Sequence, residues 1–102
     1  MKITLVKKRL ADGNWCNKCQ EVDALMHKHG HYDKINEVLI ADEKDPLSPG
    51  MMVATRLKVE RAPFFVVERD DGTEDVYTVY LKFAKEVLNL SGEDLKRVFS
   101  SK

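Results

Sequence analysis

Trp15-Cys16-Asn17-Lys18-Cys19 places two thiols three positions apart, where a short strand, Ile3 to Lys8, gives way to a helix. The strand is apolar and β-branched at its start, and the polar loop Ala11-Asp12-Gly13-Asn14 carries the chain to the cysteines. From Cys19 onward, Val22, Leu25 and Met26 follow at i+3, i+6 and i+7, one stripe of a helix that stops near Gly30. That spacing turns Cys19 inward and leaves Cys16 one turn earlier, at the helix entrance. Cys16 is therefore the expected attacking sulfur and Cys19 the resolving one. Unpaired backbone N–H groups and the positive end of the helix dipole favour a thiolate at such a position.

Downstream, Val38-Leu39-Ile40-Ala41 is a short continuous apolar run, suited to a buried parallel strand joined to the first through this helix. Ser48 and Pro49 make an N-cap and first-turn pair, and Gly50, Val53, Ala54 and Leu57 give the next helix its inner face. Phe64 to Arg69 and Glu74 to Tyr77 flank Asp71-Gly72, the pattern of a β-hairpin. Tyr80, Phe83, Ala84, Val87 and Leu88 mark a further helix, and Leu95, Val98 and Phe99 a last short one capped by Ser91. The order β-α-β-α-β-β-α, with one short helix appended, predicts an α/β fold with a central four-stranded mixed sheet. At 102 residues the chain forms one domain, residues 1–102.

Seventeen basic and seventeen acidic side chains are interspersed and cancel, which gives no basic face for nucleic acid or an anionic membrane. The opening apolar run, Ile3 to Val6, is far shorter than a signal-peptide core or a membrane span. These features predict a soluble cytoplasmic monomer. In a reducing compartment a C-x-x-C is more often catalytic or metal-binding than a structural staple, and Cys16 and Cys19 are the only cysteines present.

The order of elements and the position of the cysteines resemble the thioredoxin/glutaredoxin superfamily. A second motif, Arg61-Ala62-Pro63-Phe64-Phe65-Val66-Val67, resembles that family's proline ahead of the third strand, 47 positions after Cys16. The resemblance covers roughly Ile3 to Leu88 and leaves the last helix as an addition. It implies a thioredoxin fold, a cis bond before Pro63, and dithiol exchange through Cys16 and Cys19 with protein disulfide substrates and an upstream reductant. Ala62 and Pro63 would bind an extended substrate segment as a short added strand. A proline heading such an apolar run also suits a strand's first position on physical grounds, since it has no N–H for the ladder. Trp15 has two readings: packing, or, by the resemblance, an aromatic platform facing the substrate. Lys18 adds positive charge between the thiols and is expected to lower the pKa of Cys16.

Two departures from the family stand out. Glutaredoxins carry a Gly-Gly pair and an acidic residue after the hairpin for glutathione, where this chain has Val76-Tyr77-Thr78-Val79-Tyr80. Glutathione is accordingly not expected as a cofactor, and no other is implied. Thioredoxins carry Gly-Pro between the cysteines and a buried aspartate on the first strand; here Asn17-Lys18 separate the thiols and Ile3 to Val6 hold no carboxylate. A proton acceptor is therefore missing or supplied from elsewhere.

The alternative is a non-enzymatic interaction module, or a carrier of a soft metal or iron–sulfur cluster on the same two thiols. A zinc site joining them to His27, His29 and His31 is disfavoured. Eight helical residues from Cys19 to His27 span about 12 Å at about 1.5 Å per residue, whereas zinc ligands converge within about 2.0–2.3 Å of one ion. The histidines are expected as solvated residues at a helix C-terminus, and Lys7-Lys8-Arg9 as a solvated strand end.

Overall fold

The computed structural model describes residues 1–99. Its first strand, β1 (Lys2–Arg9), lies inside a four-stranded sheet of order β2-β1-β3-β4, with β2 (Glu37–Asp42), β3 (Phe64–Glu68) and β4 (Glu74–Tyr77). β1 runs parallel to β2, with Leu5 opposite Val38 and Lys8 opposite Ala41. It runs antiparallel to β3, with Leu5 opposite Phe65, and β3 pairs antiparallel with β4. The sheet is thus mixed, as the order of elements predicts.

The two inner strands are buried on both faces, which is why they read as unbroken apolar runs. Along β3 the side chains alternate: Phe65 and Val67 enter one core, Phe64 and Val66 the other. The first core gathers α1 (Asn17–Lys28), α3 (Tyr80–Glu86) and α4 (Gly92–Phe99) against the sheet, and Phe65 stacks on Phe83 with ring centroids 3.9 Å apart. The second packs α2 (Pro49–Leu57) on the opposite face through Met51, Val53, Ala54 and Leu57. Gly50 makes that approach feasible, because a Cβ there would stand 2.3 Å from the Ala41 backbone nitrogen.

Several expectations need correction. The run Val38 to Ala41 does pair in parallel with β1, but β2 is an edge strand and Val38 keeps 39% of its surface exposed. Ser48 is the N-cap of α2 by backbone geometry, yet its hydroxyl makes no cap bond there; it accepts from Asp42 N–H at 3.0 Å and donates to the Asp45 carbonyl at 2.8 Å. The helix begun at Tyr80 stops at Glu86, short of Val87 and Leu88, and Asn89 then takes a left-handed conformation with φ 56°. At α4 the expected cap forms: Ser91 Oγ accepts from Asp94 N–H, and Asp94 Oδ2 accepts from Ser91 N–H.

Candidate functional site

β1 ends at Arg9, and a short loop closed by the Arg9–Trp15 bridge delivers Cys16 to the start of α1. The Cys16 N–H donates to the Lys8 carbonyl at 3.1 Å, which fixes the loop to the strand end. Cys16 is the N-cap of α1, and its sulfur occupies the place usually taken by a capping oxygen, accepting the Cys19 N–H at 3.2 Å. An otherwise unpaired helix donor is thereby aimed at Cys16 Sγ, an arrangement that stabilises negative charge on the sulfur.

Cys19 sits one turn on, buried, and its Sγ accepts the Lys8 N–H at 3.3 Å. Both cysteines are free thiols. Burial pushes the Cys19 thiol up to about 12, and its contact with Cys16 adds to the rise; the Lys8 N–H and the charge of Lys7 act in the opposite direction. One sulfur is therefore half-exposed and bonded as an acceptor, and the other is buried and held protonated.

The peptide bond between Ala62 and Pro63 is cis, and the Ala62 carbonyl lies 3.9 Å from Cys16 Sγ. Trp15, Cys16, Cys19, Ala62 and Pro63 belong to this neighbourhood, with Pro63 itself buried at the head of β3, and the sixth predicted site residue, Lys18, lines a hollow beside Ala62. Lys18 points outward, with Nζ 3.6 Å from Glu21 Oε1 and 64% of its side chain exposed. Trp15 is half-exposed, and its ring has the Lys7 ammonium 4.8 Å and the Arg9 guanidinium carbon 5.8 Å from its centroid. Its carbonyl accepts from Gln20 Nε2 at 2.9 Å.

Lys7, Asp23 and Tyr32, none of them among the residues the sequence marks as a site, form a linked group beside Cys19. Lys7 is not a solvated strand end: its ammonium lies 3.2 Å from Asp23 Oδ1 with 19% of the side chain exposed. Tyr32 O–H donates to the same carboxylate oxygen, and His27, stacked on Tyr32, places Nε2 3.6 Å from Asp23 Oδ2. Burial raises the Asp23 pKa, but the bonds from Tyr32 and Lys7 outweigh it and leave the carboxyl below its ordinary value. A small cleft lined by Lys7, Trp15, Gln20 and Asp23 reaches Cys19. One signal was available in the sequence, since Asp23 follows Cys19 by four residues on one helix. That Lys7 meets it follows only from how α1 lies on β1.

His27 stacks on Tyr32, whereas the His29 and His31 rings lie 6.1 Å apart between centroids. His31 is buried, not solvated, and its Nδ1 bonds to Tyr80 O–H; burial holds its pKa below the ordinary value. Among the described residues no group of three or more His, Cys, Asp or Glu side chains converges as for a metal ion, and no helix is long and apolar enough to cross a membrane.

Two hollows flank Ala62. One of about 430 Å³ is lined by Lys18, Val22, Val79, Tyr80 and Phe99. The other, of about 740 Å³, lies between α2 and residues 58–62. Compared with known proteins, the chain matches no protein-family model, no curated protein and no solved structure.

Proposed function

We propose that this chain is a small thiol-disulfide oxidoreductase with a thioredoxin-like fold. The observation that carries the reading is the division of labour at the start of α1. Cys16 Sγ caps the helix beside the Ala62 carbonyl, and Cys19 lies buried one turn behind it. A mere structural pair would need no such asymmetry.

In the proposed reaction the Cys16 thiolate attacks a partner's disulfide. A Cys16–partner S–S bond forms, the partner's S–S bond breaks, and the leaving sulfur departs as a thiolate that takes up a proton. Cys19 then loses its proton and attacks Cys16 Sγ, closing an intramolecular disulfide and releasing the second partner thiol. Two electrons pass from the dithiol to the partner, and an external dithiol reductant restores the starting state.

The high pKa of Cys19 keeps it from competing as first nucleophile, and Lys7 is the cation whose field favours its thiolate in the second step. Asp23 holds Lys7 in place and acts as a positioning residue. The mixed sheet order and the two-sided helix cover are compatible with the thioredoxin-like fold.

A redox titration of the metal-stripped protein, counting alkylated cysteines by mass, tests the proposal. A single two-electron transition joining Cys16 to Cys19, with a midpoint between roughly −270 and −120 mV, is the expected result. Thiols that never pair would sink it. Replacing Cys19 by Ser separates exchange from metal carriage: an exchange catalyst then accumulates covalent adducts on Cys16, whereas a metal carrier loses metal and traps nothing.

A further inference from the structure

The hollow of about 740 Å³ has the size of a ligand site, within a usual range of about 300–1,000 Å³. Its floor is the second core, reached at Ala41 and Phe64, and Met51, Ala54 and Val59 give it apolar walls. It opens where the parallel strands β1 and β2 end, at the register partners Lys8 and Ala41. Crevices outside the carboxyl ends of strands are where open α/β sheets bind ligands.

Two lining residues join the hollow to the reacting sulfur. The Lys8 carbonyl accepts the Cys16 N–H at 3.1 Å, and the Ala62 carbonyl lies 3.9 Å from Cys16 Sγ. An occupant of the hollow is therefore a neighbour of whatever Cys16 attacks.

The rim has a sign. Lys8 and Glu43 neutralise each other at 3.2 Å. Lys58, Glu60 and Arg61 line the same rim, are exposed, and have no ion-pair partner among the described residues, leaving one positive charge in excess. Arg61 lines both hollows and precedes Ala62, so its guanidinium belongs to the approach to Cys16 from either side.

We propose that this hollow docks a segment of the partner protein in which a bulky apolar residue and a carboxylate side chain flank the disulfide-bonded cysteine. The apolar side chain rests on Met51, Ala54 and Val59, the carboxylate faces Arg61 and Lys58, and the disulfide lies at Cys16. The inference rests on the exchange reading above and names its substrate class. The bond made is Cys16 Sγ to the partner's cysteine, the bond broken is the partner's disulfide, and the displaced sulfur leaves as a thiolate.

The test uses the full chain carrying Cys19→Ser, so that each adduct persists. The probes are synthetic peptides whose single cysteine is activated as a 2-pyridyl disulfide, a neutral leaving group released as thiopyridone. One peptide carries Glu and Phe beside the cysteine, a second Lys and Phe, a third Glu and Ala. The 2-pyridyl disulfides of mercaptoethanol and of glutathione complete the set.

At low salt the Glu-Phe peptide is expected to react about tenfold faster than either of the other two, the charge preference fading as salt is added. Lys58→Gln with Arg61→Gln reduces the Glu-over-Lys ratio to below about twofold, and Arg61→Glu inverts it. Thr55→Trp, an exposed change on the α2 wall, removes the Phe-over-Ala preference by filling the hollow. All three positions are exposed, so no core packing is lost in these variants.

Equal rates for the three peptides, with the mercaptoethanol probe reactive, overturn the docking site and leave exchange standing. A glutathione probe that outpaces every peptide overturns it in favour of a small ligand. A protein in which Cys16 attacks none of the probes, mercaptoethanol included, loses the exchange reading and the docking site together.

Discussion

The Lys7 ammonium, on the strand, lies 3.2 Å from Asp23 Oδ1, on the helix that carries both thiols. The pair is mostly shielded, and a hydrogen bond from Tyr32 completes the carboxylate's environment. A partly buried ion pair with its remaining lone pairs satisfied is held more firmly than an exposed one. Lys7 is thereby fixed over the Trp15 ring in a cleft that Cys19 also lines, where its charge acts on the Cys19 thiol.

Asp23→Asn and Lys7→Met are each expected to slow the attack of Cys19 on a Cys16 mixed disulfide by about tenfold, the equivalent of about 1.4 kcal/mol. The double variant should be no slower than the worse single one, because both act through one cation. Stopped-flow release of partner thiol across pH 6 to 10 checks this. Additive losses, or a pH profile that does not move, would leave the pair a structural role only.

Asp23 also ties stability to acid. Burial favours its neutral form, but the bonds from Tyr32 and Lys7 prevail, so its folded pKa lies below the ordinary 3.8. A depressed carboxyl contributes stability that is present above its unfolded pKa and is lost as pH falls through the folded one. The stability gap between wild type and Asp23→Asn should hold from about pH 7 to about pH 5 and shrink below about pH 4. Urea unfolding at each pH measures it, and a gap that widens on acidification contradicts the assignment.

Cys19 shows the opposite linkage. Its thiol is raised, first by burial, from 9.0 to about 12, so its contribution is complete below about pH 9 and is lost as pH climbs toward 12. Unfolding in denaturant from pH 8 to 11 should show a steeper alkaline decline for wild type than for Cys19→Ser. In the native protein at pH 8, iodoacetamide should modify Cys16 alone, with a second adduct appearing only after unfolding. Prompt double labelling of the native chain would refute the picture of a buried resolving thiol.

Lys18 is exposed and paired with Glu21, so its influence on Cys16 is open to screening. Lys18→Ala should slow alkylation of Cys16 by less than about threefold at low salt, and the difference should vanish near about 0.5 M salt. A rate that rises in the variant removes Lys18 from the mechanism.

Gly50→Ala tests the seat of α2. The new Cβ meets backbone atoms of Ile40 and Ala41 at 2.3–2.6 Å, which no side-chain rotation relieves. The expected loss is about 3 kcal/mol, at the upper end for overpacking, read from urea midpoints. An unchanged midpoint would mean that α2 does not pack on β2 as closely as described.

Local patterns in the sequence determined the elements, since period-two and helical spacing of apolar residues, Pro49 at a helix start and Gly72 in a turn act over a few residues. The same short range placed Cys16 at a helix entrance and turned Cys19 inward. The sheet order, the exposure of Val38 at an edge, and the burial of His31 against Tyr80 depend on contacts between distant segments, which local spacing does not encode. The meeting of Lys7 with Asp23 and Tyr32 is of the same kind. A lysine at a strand end looks solvated until a helix packs across it and brings a carboxylate within 3.2 Å. Which charges are left without an ion-pair partner among the described residues, as at Arg61 and Lys58, was decided by tertiary structure alone, because pairing is a matter of distance in space and not along the chain.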